Sequence, residues 1–241
     1  NIATLKNHFV LKAHYRLSSN EQKLIYFLIS NIEPKKRDDF HTQTVKVKSL
    51  ARIFEGDRFS RNGDIYSRID QMCIDIASKP ILIPVGFKVE GVPVTMHEVK
   101  SWFENIKPIQ DEDGEIAVRF TFHKDLKPYL LGLKKNFVQV GMDEFFPIVG
   151  KHALRMYPAL KAERGKQKSR YPHTTEFALT YGLDELKAML GLSGKYKSLK
   201  DFKRRVIKPI VEEISSSSEI FNVVFETVKT RHVVTGIRFV V

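Results

Sequence analysis

Hydrophobic residues between positions 198 and 214 recur at the spacing of one face of an α-helix. Ser198 is a good N-cap, and Asp201, three residues later, is placed to reach back in the manner of a capping box. The spacing therefore predicts an amphipathic helix over 198–214. Its predicted buried residues are Phe202, Val206, Ile207, Ile210, Val211 and Ile214.

The outer side of this predicted helix is strongly basic. Residues 195–208 contain seven Lys or Arg against one acid, Asp201. Lys203 falls inside the apolar arc, so we expect it to snorkel or to lie at the edge of that arc. A helix with this charge on its outer arc is suited to a polyanion, and a DNA duplex is the leading candidate.

The chain repeats one order of elements twice: helix, strand, short helix, longer helix and hairpin. This is the order of a winged helix-turn-helix unit, so the sequence predicts an α+β fold of two tandem winged helix-turn-helix domains, 1–135 and 136–241. In the first half we predict helices at 18–32, 49–54, 64–79 and 125–133, with strands at 44–48, 81–89, 94–103 and 115–122. In the second half we predict helices at 152–163, 184–191 and 198–214, with strands at 174–181, 220–229 and 233–241.

The charge of the whole chain agrees with the local pattern. The 241 residues carry 40 Lys and Arg against 28 Asp and Glu, a net charge of +12. Residues 150–210 hold fifteen of those cations and five of the acids, so they account for +10 of the total. This clustering favours an electrostatic footprint for nucleic acid over an evenly solvated surface.

Ten basic residues are candidate DNA contacts. Three of them lie on the outer face of the helix, where a side chain has little role in core packing: Arg204, Arg205 and Lys208. For Lys200 and Lys203, the alternative to DNA contact is that their aliphatic stems cover the core. For the first-half candidates, a solvated face competes with phosphate contact. The full set is Lys197, Lys200, Lys203, Arg204, Arg205 and Lys208 around the basic helix, Arg231 at the wing tip, and Arg61, Arg68 and Lys79 in the first half.

Catalytic chemistry has little support in the sequence. The eight histidines are never two or four residues apart, and no phosphate-binding loop is complete, so we expect neither metal, cofactor nor catalytic residue. A Ser/His/Asp grouping brought together by folding stays open. The acidic turn at 111–115 is interpreted as a hairpin tip, with cation binding as the alternative. Without a signal peptide or an apolar span, a cytoplasmic location is expected.

Four stretches in order resemble the iteron-binding plasmid replication initiators, the Rep proteins of bacteria. These stretches are NHFVLKAHYRLSSNEQKLIYFLI at 7–29, LKPYLLGLKKNF at 126–137, ALRMY at 153–157 and DFKRRVIKPIVEEI at 201–214. The resemblance implies two winged-helix domains that bind direct repeats at a plasmid origin as a monomer. It also implies a homodimer, formed through the first domain, that represses its own gene. Host replication initiator and helicase-loading proteins are the implied protein partners.

Two other functions stay open at this point. One is a winged-helix transcriptional regulator without a replication role, and the more distant one is a DNA nicking or recombinase enzyme. Direct repeats beside an AT-rich segment would favour an initiator over a regulator. Cleavage of supercoiled DNA with a divalent metal would favour the enzyme.

Overall fold

The computed structural model of the protein describes residues 1–32, 39–55, 65–217 and 222–241. The first half begins with a strand, β1 (Ile2–Lys6), and closes with a 3₁₀ turn (Lys124–Leu126) and the short helix α5 (Lys127–Leu130). Between them lie α1 (Asn7–Lys12), α2 (Ser19–Ser30), β2 (Gln43–Lys46), α3 (Val47–Glu55), α4 (Ile65–Ala77), β3 (Ile81–Val89), β4 (Val92–Lys100), β5 (Phe103–Gln110) and β6 (Ile116–Phe122).

The second half begins with β7 (Phe137–Gly141) and the short helix α6 (Met142–Phe145). A basic helix, α9, consists of three consecutive segments: Leu199–Phe202, a π-helical turn Lys203–Ile207, and Lys208–Ser217. The other elements are α7 (Lys151–Arg170), β8 (Ala178–Gly182), α8 (Leu183–Met189), β9 (Val224–Thr230) and β10 (Val233–Val240).

The two halves build the same sheet from equivalent strands. In the first half the strand order is β2-β6-β5, and in the second half it is β8-β10-β9. In each, the strand that precedes the helix-turn-helix pairs with the last strand of the following hairpin. The predicted α+β fold of two tandem winged-helix units is therefore confirmed. The position of the boundary between 1–135 and 136–241 stays a prediction.

A hairpin inserted into the first unit has no counterpart among the described residues of the second. Strands β3 and β4 form their own two-stranded sheet between α4 and β5. They are joined at Glu90 and Gly91, whose φ angles of 50° and 82° are those of a tight two-residue hairpin turn. The hairpin is anchored at its base, where His14 and Leu82 exchange backbone hydrogen bonds of 2.7 and 2.8 Å.

Several predicted boundaries are wrong for local reasons. The predicted helix at 125–133 ends at Leu130, because Leu131 is extended and Gly132 adopts a φ of 62°. The predicted strand at 94–103 covers most of β4 and only the first residue of β5, from which the buried Trp102 separates it, so most of β5 was not predicted. The helix predicted at 152–163 runs further, over Lys151–Arg170. The strands predicted at 174–181 and 220–229 begin later, at Ala178 and Val224, and residues 64 and 220 lie outside the described part of the chain.

One hydrophobic core joins the two halves. β1 pairs antiparallel with β7, from Ile2 opposite Gly141 to Lys6 opposite Phe137. The rings of Tyr26 on α2 and Phe145 on α6 stack with centroids 4.3 Å apart. The start of the chain is thus built into the second half as well as the first.

Arg155 of α7 holds the end of α1. The residue is only 2% exposed, and its two Nη atoms donate to the carbonyl oxygens of Val10 at 2.6 Å and Ala13 at 2.5 Å. The guanidinium also lies 4.7 Å from the centre of the Tyr15 ring. The last carbonyls of a helix have no partner inside it, and they favour a cation. Arg155, from a distant part of the chain, supplies both the hydrogen-bond donors and the positive charge.

Replacing Arg155 with Met should therefore lower the free energy of unfolding by about 3 kcal/mol, because two buried carbonyls lose their charged donor. Urea denaturation measures this loss. Arg170→Met, at the exposed end of the same helix, is the control and should change stability by less than about 0.5 kcal/mol. Equal stability of the two variants would contradict the assigned role.

Candidate nucleic-acid interface

The helix-turn-helix of the second unit consists of α8, a tight turn and α9. The turn needs left-handed backbone at Gly191, Gly194 and Tyr196, whose φ angles are 69°, 74° and 54°. Lys187 of α8 donates to the carbonyl oxygen of Tyr196 at 3.1 Å, and its ammonium lies 5.5 Å from the Phe202 ring centre. The supporting helix therefore fixes the position at which α9 begins.

Of the two hydrogen bonds in the capping box predicted at the start of α9, one is present. Ser198 Oγ accepts a hydrogen bond from the backbone N–H of Asp201 at 3.3 Å. The carboxylate of Asp201 accepts from Arg204 Nη2 at 2.9 Å. Asp201 thus binds a residue of its own helix instead of completing the predicted reciprocal contact.

The apolar face of α9 is the predicted one, except that Val211 is half-buried. Phe202, Val206, Ile207, Ile210 and Ile214 are each at most 2% exposed. Lys203 is half-buried, as expected for a lysine at the edge of the apolar arc. The opposite side faces solvent and carries cations.

A π-helical turn interrupts α9 at its most basic part. Pro209 has no N–H to donate to the carbonyl of Arg205, which is four residues earlier. The backbone N–H of Lys208 donates instead to the carbonyl of Lys203, five residues back. This wider turn re-aims the side chains of 203–207, and such turns are frequent at functional sites.

The predicted cations around α9 lie on one exposed surface, which we name the basic surface. Arg204 is paired with Asp201 at 2.9 Å and Lys208 with Glu212 at 3.6 Å. Exposed pairs of this kind contribute at most about 1 kcal/mol, so a phosphate can replace the carboxylate. The basic surface consists of the exposed residues Lys197, Lys200, Arg204, Arg205 and Lys208, with the half-buried Lys203 at its edge.

The wing is the β9–β10 hairpin. Arg231 lies at its tip, exposed and with a φ of 56°. A register shift between Val234 and Gly236 bends β10. A Cβ at Gly236 would meet the carbonyl oxygen of Tyr181 at 2.6 Å, so only glycine allows this approach to β8.

The candidates in the first half are placed differently. Lys79 binds the buried carboxylate of Glu21 at 2.6 Å, so its charge already balances a buried acid of the fold. Arg68 is half-buried on α4, and Arg61 lies outside the described residues. DNA contact by all three stays a prediction, and Lys79 has the least support.

The acidic turn at 111–115 has an internal cation. Lys46 Nζ lies 3.1 Å from Asp111, 3.1 Å from Asp113 and 2.9 Å from Glu115. Hydrogen bonds from Lys48 and Lys46 lower the pKa of Glu115. This agrees with a hairpin tip neutralised by lysines of β2 and α3.

Other chemistry finds little support in the parts of the chain that the structure covers. In these ranges His, Cys, Asp and Glu form no group of three or more that would hold a metal ion. Cys73 is buried, which together with the charge of Asp70 raises the pKa of its thiol to about 12.

Within the ranges that the structure describes, no helix is both long enough and apolar enough to cross a membrane.

Sequence reasoning missed a cationic cleft between the two halves. It brings Arg16 beside Lys151 and Lys195, which are far apart along the chain. These residues stand in no common motif, so only the folded structure reveals the cluster.

The fold and the basic surface define a protein of two tandem winged-helix units, the second of which presents a basic helix. The model of the family described as Initiator Replication protein, WH1, matches residues 2–161. That of Initiator Rep protein, WH2, matches residues 182–241. The chain therefore belongs to the initiator replication protein family.

Individual relatives agree with this assignment. A Replication initiation protein of Escherichia coli is 29% identical over 208 residues, which are 86% of this chain and 60% of that protein. The chain thus spans about three fifths of that relative's length.

Solved structures were also compared with this chain. The crystal structure of Pi initiator protein in complex with iteron DNA aligns with a TM-score of 0.70 and 15% identity, over 99% of this chain and 96% of that chain. At this identity the likeness concerns the fold alone. Domains 2 and 3 of RctB align more loosely, with a TM-score of 0.44 and 9% identity, over 92% of this chain and 79% of that chain.

Proposed function

We propose that this protein is a plasmid replication initiator that binds direct repeats, or iterons, at an origin. The observation that carries the proposal is the basic surface of α9, presented by a helix-turn-helix in a chain of the initiator family. The protein that shares its fold over nearly the full length was crystallised with iteron DNA, which supports the same ligand here.

In this proposal α9 enters the major groove of the duplex. Its N-terminal part carries Lys200, Arg204 and Arg205, where an arginine can bind guanine O6 and N7 with two hydrogen bonds. Lys197 and Lys208 lie toward the rim and meet phosphates as point charges. Arg231 at the wing tip reaches the neighbouring backbone. The protein has no chemistry of its own and acts by binding DNA in the cytoplasm.

We further propose that the protein dimerises through the inserted β3–β4 hairpin and that the dimer represses its own gene. In the register of the hairpin, one face of its free part is entirely apolar, and each of these side chains is 37–62% exposed. A contiguous apolar face of this kind marks an interaction site. The face consists of Val85, Phe87, Val89, Val92, Val94 and Met96.

A second copy of the chain fits this face because it offers an equal apolar surface, as a two-fold interface requires. A two-stranded hairpin is also only marginally stable alone in water, so its burial against a partner stabilises it. Host replication initiator and helicase-loading proteins are the further partners we propose, on the basis of the family.

Footprinting on the DNA that flanks the gene tests the proposed function. We expect protection of several direct repeats next to an AT-rich segment, and protection of an inverted repeat by the dimer. Protection of a single inverted repeat alone would overturn the initiator assignment in favour of a transcriptional regulator.

Binding should depend strongly on salt. With both winged units on one duplex we expect about 6–10 neutralised phosphates, so log K should fall against log salt with a slope of roughly −5 to −9. Fluorescence anisotropy on a repeat-containing duplex measures the slope. A slope shallower than about −2 would exclude docking by both units.

Arg204 and Lys208 should behave differently when each is replaced with Ala. Arg204→Ala should cost ~1–3 kcal/mol on the cognate repeat and little on random DNA, because it removes a base contact. Lys208→Ala should weaken both DNAs alike and flatten the salt slope by about one unit. Both variants should keep near-wild-type thermal stability, since the ion pairs that they remove, with Asp201 and with Glu212, are exposed. Equal losses on cognate and random DNA for Arg204→Ala would make this arginine a phosphate contact.

Phe87→Glu should weaken dimerisation at least about tenfold, because it places a charge in the buried interface. Analytical ultracentrifugation measures this change. Thr95→Glu is the matched control: it adds the same charge to the opposite, exposed face of the hairpin. If the two variants dimerise equally well, the dimer contact lies elsewhere.

Specific DNA binding should need no metal or nucleotide, and supercoiled DNA should stay intact with magnesium. The basis is the absence of ligand spacing and of a phosphate-binding loop in the sequence. Anisotropy with a chelator and an agarose gel of incubated plasmid check the two expectations. Loss of binding with chelator, or nicking, would revive the enzyme alternative.

A further inference from the structure

A cleft of about 290 Å³ lies between the two halves of the protein. It is bounded by the segment after α1, by the start of α7 and by the turn between α8 and α9. Among the described residues that line it there is no Asp or Glu. Its basic lining residues are Arg16, Lys79, Lys151, His152, Arg155 and Lys195.

The fold holds Arg16 at this cleft by a close approach between the halves. A Cβ at Gly191 would lie 2.9 Å from Arg16 Cγ, so the arginine stem rests on the glycine backbone. Gly191 has a φ of 69°, which a residue with a side chain adopts only with strain. The helix-turn-helix of the second unit therefore positions a cation of the first.

Much of this positive charge is uncompensated. Lys79 is balanced by Glu21, but within the described ranges Arg16, Lys151 and Lys195 have no carboxylate partner. His152 is largely buried, and this burial, with the charges of Lys151 and Lys195, lowers its pKa to about 4. The imidazole is thus neutral at physiological pH, and the cleft resists further positive charge.

Two buried polar atoms of the lining also lack a partner in the described part of the chain. They are Nε of Arg155 and Oε1 of Gln22, on side chains that are each 2% exposed. The amide of Gln22 is fixed in orientation, because its Nε2 donates to the carbonyl of Lys151 at 2.9 Å. Buried polar groups in native proteins are nearly always satisfied, and the unpartnered Arg155 Nε is a charged donor that suits an anionic acceptor.

We propose that the cleft binds a phosphate group and thereby bridges the two halves. Phosphate oxygens suit arginine and lysine donors. The phosphate belongs either to the DNA backbone or to free phosphate or a small phosphorylated molecule. Lys195 lies three residues before Ser198, the N-cap of α9, so a bound duplex passes close to the cleft. The backbone source rests on the proposed function, whereas the free source does not.

Inorganic phosphate is the probe of the first experiment, titrated against chloride at constant ionic strength. We expect a phosphate-specific rise in Tm, and we expect NMR of His152 to report a raised pKa, because an anion offsets the positive field. Lys151→Gln and Arg16→Gln should each weaken phosphate binding about tenfold or more, the effect of losing one charged hydrogen bond. Lys168→Gln is the control, since it removes the same charge from an exposed position on α7.

A second experiment identifies the source of the phosphate. If the DNA backbone supplies it, phosphate competes with DNA, and Lys151→Gln flattens the salt slope of DNA binding by about one unit. If the source is free, phosphate binds the preformed DNA complex and the slope is unchanged. The proposal is overturned if phosphate gives no effect beyond chloride and the slope is also unchanged, or if Lys168→Gln weakens binding as much as Lys151→Gln. The phosphate titration contains no DNA, so it stays informative even if the proposed function fails.

Discussion

The end of α1 is held by side chains from the second half of the chain, and the relation between the two winged units depends on this contact. The carbonyls of Val10 and Ala13 accept from Arg155, and that of Leu11 accepts from Tyr181 Oη at 3.2 Å. These oxygens would otherwise be unsatisfied at a buried helix end, where each costs about 1–3 kcal/mol. The charge of Arg155 is in turn tolerable inside the protein because the carbonyls and the Tyr15 ring surround it. The guanidinium and the carbonyls therefore stabilise each other.

Helix α7 transmits this constraint to the basic surface. Its first turn is capped by Glu213 of α9, whose carboxylate accepts from the backbone N–H of Gly150 at 2.8 Å. An anion at a helix N-terminus is favoured by the helix dipole as well as by the hydrogen bond. One helix therefore contacts the start of the chain through Arg155 and the basic helix through its own N-terminus.

The helices and their faces were predictable where the signal is local. The apolar stripe of α9 and the cap at Ser198 follow from spacing within a few residues, and the structure has both. Strands β1 and β7 were not predicted, because a short edge strand is defined by a partner that is distant in sequence. Arg155 and Val10, 145 residues apart, show the same limit for the packing of the two halves.

The candidate site likewise has features that follow from local sequence and features that depend on tertiary packing. Exposure of Arg204, Arg205 and Lys208 follows from helical periodicity, so the sequence was sufficient to place the basic surface. The pairing of Lys79 with Glu21 depends on how α4 and α2 pack, so its charge could not be assigned from spacing.

Pro209, which has no N–H, comes two residues after the π-helical turn, whereas the periodicity argument alone gave a regular helix. A regular helix would advance each residue of 203–207 by about 100°, whereas a π turn advances each by less. The turn therefore shifts Arg204 and Arg205 relative to Lys208 while Phe202 and Ile210 both stay buried. The direction of the cations is thus set by the local geometry of the helix as well as by its hydrophobic face.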